Sequence, residues 1–340
     1  MKTLRLPTNP AEYPQTLQTA ADILKKGGTV AIPTETVYGL AASAFDEQAV
    51  KKIFTAKGRP QDNPLIVHIA SPDDLTTVAC DIPQVAYRLI DRFWPGPLTL
   101  VLKRNERIPA SVSAGLKTVA VRMPENAVAR DVILASGLPL AAPSANASGK
   151  PSPTSPDAVL EDLDGKIDAV IMSENCTVGV ESTVVTLCTN PPRLLRPGAV
   201  TAEELREILP ALILDPAILS EPEKNAAVSS PGMKYKHYAP KTETVLVEGK
   251  SADFIRFVNQ KTDCAAICFA EEADAIKISK LIYGNAADES GLAHEVFSVL
   301  RSADLLGVNK IYVHAPSKKG VGLAVYNRLL RAAAFQVVKL

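Results

Sequence analysis

No run of about 18 apolar residues occurs in the sequence, and no charged leader precedes an apolar core, so neither a membrane span nor an export segment is expected. Neither charge is in excess: 37 Lys and Arg balance 37 Asp and Glu. Such a chain has no global field to draw nucleic acid or an anionic bilayer. The first 210 residues, with 21 basic and 23 acidic side chains, are balanced too. Any site for a polyanion must therefore be a local cluster. Five Cys, an odd number, show no C-x-x-C pair, and Cys264 and Cys268 lie in C-x-x-x-C spacing within an apolar run. Free buried thiols in a reducing cytoplasm are the expectation. The four His are scattered singly, with no spacing that suggests a metal site. There is no P-loop G-x-x-x-x-G-K-S/T, no H-E-x-x-H and no Ser-His-Asp order. Catalysis by such a chain would rest on positioning and charge neutralisation, as phosphoryl and nucleotidyl transfer do.

What is present is an ordinary globular composition, 46% hydrophobic and 22% charged over 340 residues, long enough for two domains. The pattern predicts helices over 15–26, 46–56, 72–79, 83–92, 125–135, 156–162 and 201–208. Strands are expected at 29–33, 65–69, 98–103, 118–123, 139–143, 169–172, 182–187 and 193–198. Strands and helices do not alternate regularly here, which favours a mixed α/β sheet over a doubly wound parallel one. Residues 210–243, with five prolines and little periodicity, read as a linker. From 244 to 340 strand and helix alternate, with a polar helix expected after AAICFA, and suggest a small Rossmann-like unit. Gly320-Val321-Gly322 imitates half of a dinucleotide fingerprint but lacks the third glycine and opens the last helix. It reads as packing, and no NAD is expected.

The most informative stretch is AKGRPQDNPLIVHI at 56–69, which gathers Lys57, Arg59, Asn63 and His68 around two prolines. Arg supplies a planar fork for phosphate oxygens and Lys a mobile point charge. For a bare K-x-R a solvated charge cluster is the better reading, and what overturns it is the company the stretch keeps. Arg122 and Arg196 are further cations, each beside a strand end and a Pro or Gly. Ser144 and Asn146 offer a hydroxyl and an amide before the turn SGKPS. Thr118 and Thr183, taken alone, need no explanation beyond β-propensity. Glu35 is either a metal-bridging or substrate-orienting carboxylate, or an internal cap of its loop.

The segments GGTVAIPTETVYGLAASA at 27–44, FWPGPLTLVL at 93–102, VAVRMP at 119–124, AAPSANASGKPS at 141–152, GVESTVV at 179–185 and LLRPG at 194–198, together with the K-x-R stretch, follow one another in order. In that order they resemble the YrdC/Sua5 family, the threonylcarbamoyl-AMP synthases. SPGMKYKHYAP at 230–240 is similar to the linker of the long, two-domain branch. The resemblance implies a YrdC-like twisted mixed-sheet domain at 1–209, a linker or lid at 210–243 and a Sua5 C-terminal Rossmann-like domain at 244–340. It implies synthesis of L-threonylcarbamoyladenylate and pyrophosphate from L-threonine, bicarbonate and ATP, for the t6A modification of tRNA. Mg²⁺ would be carried by ATP rather than by protein ligands.

Carried over residue by residue, Lys57 and Arg59 would be catalytic. Arg59, Asn63, Thr118, Ser144, Asn146, Ser152, Arg196 and Tyr235 would bind ATP. Thr36, His68, Arg122, Ala142 and Ser182 would surround threonine, and His237 and Tyr238 would belong to a lid over the labile carbamate. The product would pass to a tRNA threonylcarbamoyltransferase complex in the cytoplasm, without a membrane. Two other functions stay open. A double-stranded RNA binder is disfavoured by the charge balance, as is direct tRNA binding. A carbamoyltransferase module would be accompanied by acylphosphatase and zinc-finger modules, which this chain lacks.

Overall fold

The computed structural model describes residues 2–221 and 238–340. Its larger sheet has twelve strands: β1 (Leu4–Pro7), β2 (Val30–Ile32), β3 (Gly39–Ser43), β4 (Ile66–His68), β5 (Ala79–Cys80), β6 (Leu98–Arg104), β7 (Thr118–Arg122), β8 (Leu140–Ala141), β9 (Ala169–Met172), β10 (Thr183–Thr186), β11 (Arg193–Arg196) and β12 (Ile213–Leu214). The order is β1-β9-β2-β3-β8-β4-β7-β6-β10-β11-β12, with β5 paired to β6. Parallel pairs such as β4–β7 and β6–β10 alternate with antiparallel ones such as β2–β3 and β6–β7, so the sheet is mixed as its irregular pattern implied. β3, whose GLAAS is short of β-branched residues, was not expected as a strand. It forms because the turn at 33–38 folds it back onto β2.

Helices α1 (Tyr13–Lys25), α2 (Glu47–Lys57), α3 (Leu75–Val78), α4 (Gln84–Phe93), α5 (Ala127–Ser136), α6 (Pro156–Leu163) and α7 (Ala202–Arg206) belong to this half. One buried cluster packs Ala20 and Leu24 of α1 and Val132 and Ile133 of α5 against β2, β3 and β9. A larger one packs Val50, Ile53 and Phe54 of α2 and Leu89 of α4 beside Val67, Leu100 and Val121. Residues 213–218, inside the stretch read as a linker without regular structure, instead pair β12 with β11 and make a 3₁₀ turn at Pro216–Ile218.

The second sheet is wholly parallel, as the strand–helix alternation implied. Its strands are β13 (Glu243–Glu248), β14 (Cys264–Cys268), β15 (Ser279–Ile282), β16 (Lys310–His314) and β17 (Val337–Lys339), ordered β15-β14-β16-β13-β17. Helices α8 (Ser251–Val258), α9 (Glu289–Ala303) and α10 (Gly322–Ala332) accompany it. The polar helix expected after AAICFA is only a 3₁₀ segment at Ala270–Ala275. Gly322 N–H donates to the Glu289 carboxylate at 2.9 Å, so a side chain already sits at the start of α10 where a dinucleotide would need to lie. All five Cys are free thiols, and among the described residues no helix is long and apolar enough to cross a membrane.

The halves meet through α9 and α10. Val37 and Val180 of the first half are buried in one cluster with Ala293, Val296 and Phe297 of α9. Arg301 of α9 donates to Asp162 at 2.9 Å and to the Pro151 carbonyl at 2.6 Å. Asn327 and Arg331 of α10 reach the carbonyls of Ile218 and Ala217, both at 2.8 Å.

Candidate active site

Strand register builds the site. His68 of β4 lies opposite Arg122 of β7, Arg122 opposite Thr99 of β6, Thr99 opposite Val184 of β10, and Val184 opposite Arg196 of β11. One row across five strands thus sets His68, Arg122 and Arg196 along the same line of the sheet. A cleft open to solvent lies beside this row, lined by His68, Arg122 and Arg196 of the row itself.

Arg122 is 3% exposed and held at each of its three guanidinium nitrogens. Its Nη2 lies 2.6 Å from Glu35 Oε1, Nη1 donates to Thr36 Oγ1 at 2.9 Å, and Nε donates to the Gly96 carbonyl at 3.2 Å. Glu35, for which the sequence allows a metal, substrate or internal role, therefore holds Arg122, and it also accepts the Glu125 N–H at 3.1 Å. Thr36 is aimed by the turn that Thr34 closes, whose hydroxyl accepts the N–H groups of Thr36 and Val37. On the far side of Thr34 and Glu35 lies a wider recess. His68 is buried, and burial together with the Arg122 cation lowers its pKa to about 3, so the ring is neutral at any ordinary pH. Ala142, whose N–H bonds the Ile66 carbonyl at 2.9 Å, completes this end.

The other end carries Arg59, Ser144, Asn146 and Arg196. Ser144 Oγ donates to Asn146 Oδ1 at 2.5 Å, and the Asn146 amide is tied to the carbonyls of Ala147 and Lys150. Arg196 donates to the Ser182 carbonyl at 3.0 Å and to its hydroxyl at 3.1 Å, while that hydroxyl also meets Thr99 Oγ1 at 2.7 Å. Residues assigned separately to ATP (Arg196) and threonine (Ser182) are thus bonded at the junction of the two ends. Burial lowers the Arg196 pKa to about 10, still a cation at neutral pH.

Lys57 corrects one expectation. The K-x-R stretch offers Lys57 as a mobile point charge, but Lys57 is the last residue of α2 and is 4% exposed. Asp46 caps that helix at its start, and Gly58 at φ 60° ends it in the left-handed conformation that a glycine adopts without penalty. The Lys57 ammonium donates to the carbonyls of Ser144 and Asn146 at 2.5 and 2.6 Å. Burial, then the neighbouring Arg59, bring its pKa well below the usual lysine value. It buttresses the Ser144–Asn146 turn from behind, and Arg59 alone of the two borders the cleft.

Asn63, Thr118 and Ser152 do not border the cleft either. Both amide atoms of Asn63 are buried with no hydrogen-bond partner. Thr118 starts β7, four residues before Arg122 and so roughly 13 Å along the strand. Ser152 is buried and donates to Glu181 Oε1 at 2.5 Å. Tyr235 and His237 lie outside the described residues. Tyr238 is on the cleft wall, buried at φ 64° against Phe297.

Sequence reasoning missed Glu181, which borders the cleft at 6% exposure. Its Oε2 accepts from Nε of Arg328, a fully buried arginine of α10, at 2.7 Å. A lone carboxylate in the apolar run VGVESTVV was the available clue. Arg328 offered none, because its helix carries polar residues on a face that the first domain covers.

Two family models match the chain. One, Sua5/YciO/YrdC, described as telomere recombination, matches residues 22–198. The other, described as the threonylcarbamoyl-AMP synthase C-terminal domain, matches residues 200–334. A threonylcarbamoyl-AMP synthase of Pyrococcus abyssi is 44% identical over 330 residues, 95% of either chain. One of Bacillus subtilis is 42% identical over 332 residues, 96% of this chain and 95% of its own. A crystal structure of P. abyssi Sua5 complexed with L-threonine superposes with a TM-score of 0.90 at 40% identity, covering all of both chains.

Proposed function

The chain belongs to the two-domain threonylcarbamoyl-AMP synthase family, and from that premise we infer that its cleft joins L-threonine, bicarbonate and ATP into L-threonylcarbamoyladenylate, releasing pyrophosphate. The observation that carries the reading is the two-ended cleft. One end has a held arginine beside neutral groups; the other has two arginines beside a hydroxyl and an amide.

In this reading the Arg122 fork takes the amino-acid carboxylate, with Glu35 and Thr36 fixing its plane. His68, kept neutral, offers its ring to the amine or hydroxyl without repelling the amine. The unprotonated amine attacks bicarbonate carbon, forming the N–C bond, and the departing hydroxide takes one amine proton and leaves as water. The new carbamate oxygen then attacks the α-phosphorus of ATP, and the bond to pyrophosphate breaks. Arg59 and Arg196, with Ser144, neutralise charge on the phosphates as the oxygens separate. Glu35 and Glu181 are already paired to arginines, so Mg²⁺ is proposed to arrive on the triphosphate, where it would screen charge. Transfer of the adenylate to a tRNA threonylcarbamoyltransferase in the cytoplasm completes the proposal.

The test is incubation with ATP, bicarbonate, Mg²⁺ and labelled threonine. Pyrophosphate and a labelled adenylate that both depend on threonine are expected. Pyrophosphate release indifferent to threonine would overturn the reading.

A further inference from the structure

A carboxylate in the wall of a cleft that receives a triphosphate is a liability. Glu181 is such a carboxylate: it borders the cleft beside Arg196 and precedes Ser182. Unpaired, it would repel every phosphate oxygen nearby, and in a poorly solvated wall that repulsion is weakly screened. It could also draw Arg196 away from the phosphates. Instead both its oxygens are taken: Oε1 by Ser152 Oγ at 2.5 Å, Oε2 by Arg328 Nε at 2.7 Å. Arg328 comes from α10 of the other domain. Its Nη2 also donates to the Glu181 carbonyl at 3.3 Å, and its Nη1 to Asn327 Oδ1 at 2.9 Å, so the guanidinium is held on three sides.

We propose that Arg328 is a positioning residue for ATP: by neutralising Glu181 from the second domain it leaves Arg196 available to the phosphates and holds Ser152 behind them. The inference rests on the proposed placement of ATP at the Arg59–Arg196 end. Other charged or titratable groups facing Glu181 are Arg196, Lys57 and Tyr238. Burial alone would raise the Glu181 pKa, yet Arg328, then Arg196, bring it below the usual glutamate value. With a neutral residue in place of Arg328, burial acts with less opposition, so the Glu181 carboxyl takes up a proton more readily as pH falls.

The full-length protein is assayed for pyrophosphate release with ATP varied and threonine saturating, comparing wild type, R328Q, E181Q/R328Q and R196A. R328Q is expected to raise KM for ATP about tenfold, with kcat and KM for threonine within about twofold. That defect should shrink as pH is lowered, which a merely structural loss would not do. E181Q/R328Q, which removes both charges of the pair, should return KM for ATP to within about threefold of wild type. If R328Q leaves KM for ATP unchanged while R196A raises it, Arg328 has no such role and the ATP placement survives. If R196A changes nothing, the placement itself is wrong. If R328Q does not fold, the double variant decides: a KM for ATP about tenfold above wild type overturns the proposal.

Discussion

At the scale of single residues, the two cations of the K-x-R stretch separate. Lys57 saturates the Ser144 and Asn146 carbonyls from inside the protein, so Lys57→Ala leaves two buried acceptors unpaired and loosens the turn that carries Ser144. A loss of about 2–4 kcal/mol in urea unfolding is expected together with the loss of adenylate formation. Arg59 borders the cleft and supports less of the core, so Arg59→Ala should cost on the order of 10²–10³ in rate while shifting stability by about 1 kcal/mol or less. Equal destabilisation by both would contradict this division. His68 gives a pH test. Its folded pKa of about 3 is below the unfolded value near 6.5, so in that window the unfolded chain binds the extra proton and stability rises with pH. Wild type should therefore lose about 3 kcal/mol more than His68→Gln between pH 7 and 4, read from paired denaturation curves. Arg59, Arg122, Arg196, Ser144 and Asn146 stood out in the sequence by residue type, and Thr36, His68, Ala142 and Ser182 through the resemblance; all line the cleft. Their partners were not legible there: that Glu35 serves Arg122, or that Lys57 is a buttress, rests on burial and distance alone.

At the scale of elements, the row from His68 to Arg196 is a product of register, and register is set by long-range pairing that no local pattern reveals. Strands rich in Val, Leu and Thr were found from the sequence. β3, made of small residues, escaped because its only claim to being a strand is its neighbours. The segment at 178–182 shows how closely an element is held from outside. Gly179 has φ 83°, and a Cβ there would lie 2.4 Å from His294 Cα and 2.5 Å from the Ala293 carbonyl of α9. Gly179→Ala should thus be disproportionate for one methyl group: about 1–3 kcal/mol of stability, and a raised KM for ATP because Glu181 and Ser182 lie two and three residues on. Wild-type melting and kinetics in that variant would show that the approach of α9 is slack.

At the scale of the whole molecule, the first sheet has its own buried clusters on both faces. A chain truncated after Ser220, so that β12 and the turn at 216–218 remain, should keep the secondary structure of the first sheet by circular dichroism. It should lose most adenylate formation, since Val37 and Val180 would be bared and Glu181 would face the cleft without Arg328. Full activity in that truncation would mean that the second domain is dispensable to the chemistry. The two-domain division was visible in the change from mixed pattern to strand–helix alternation. What stayed hidden was that the second domain extends buried arginines into the first. Asp162 is the other joint of this kind. Its fully buried carboxylate is shared by Lys150 of its own domain and Arg301 of the other, and it also accepts the N–H of Ala147, next to Asn146. The domains are therefore not interchangeable parts: a foreign C-terminal half grafted at the junction would dock productively only if it brought arginines to the places of Arg301 and Arg328, as a key must bring both its teeth to one lock.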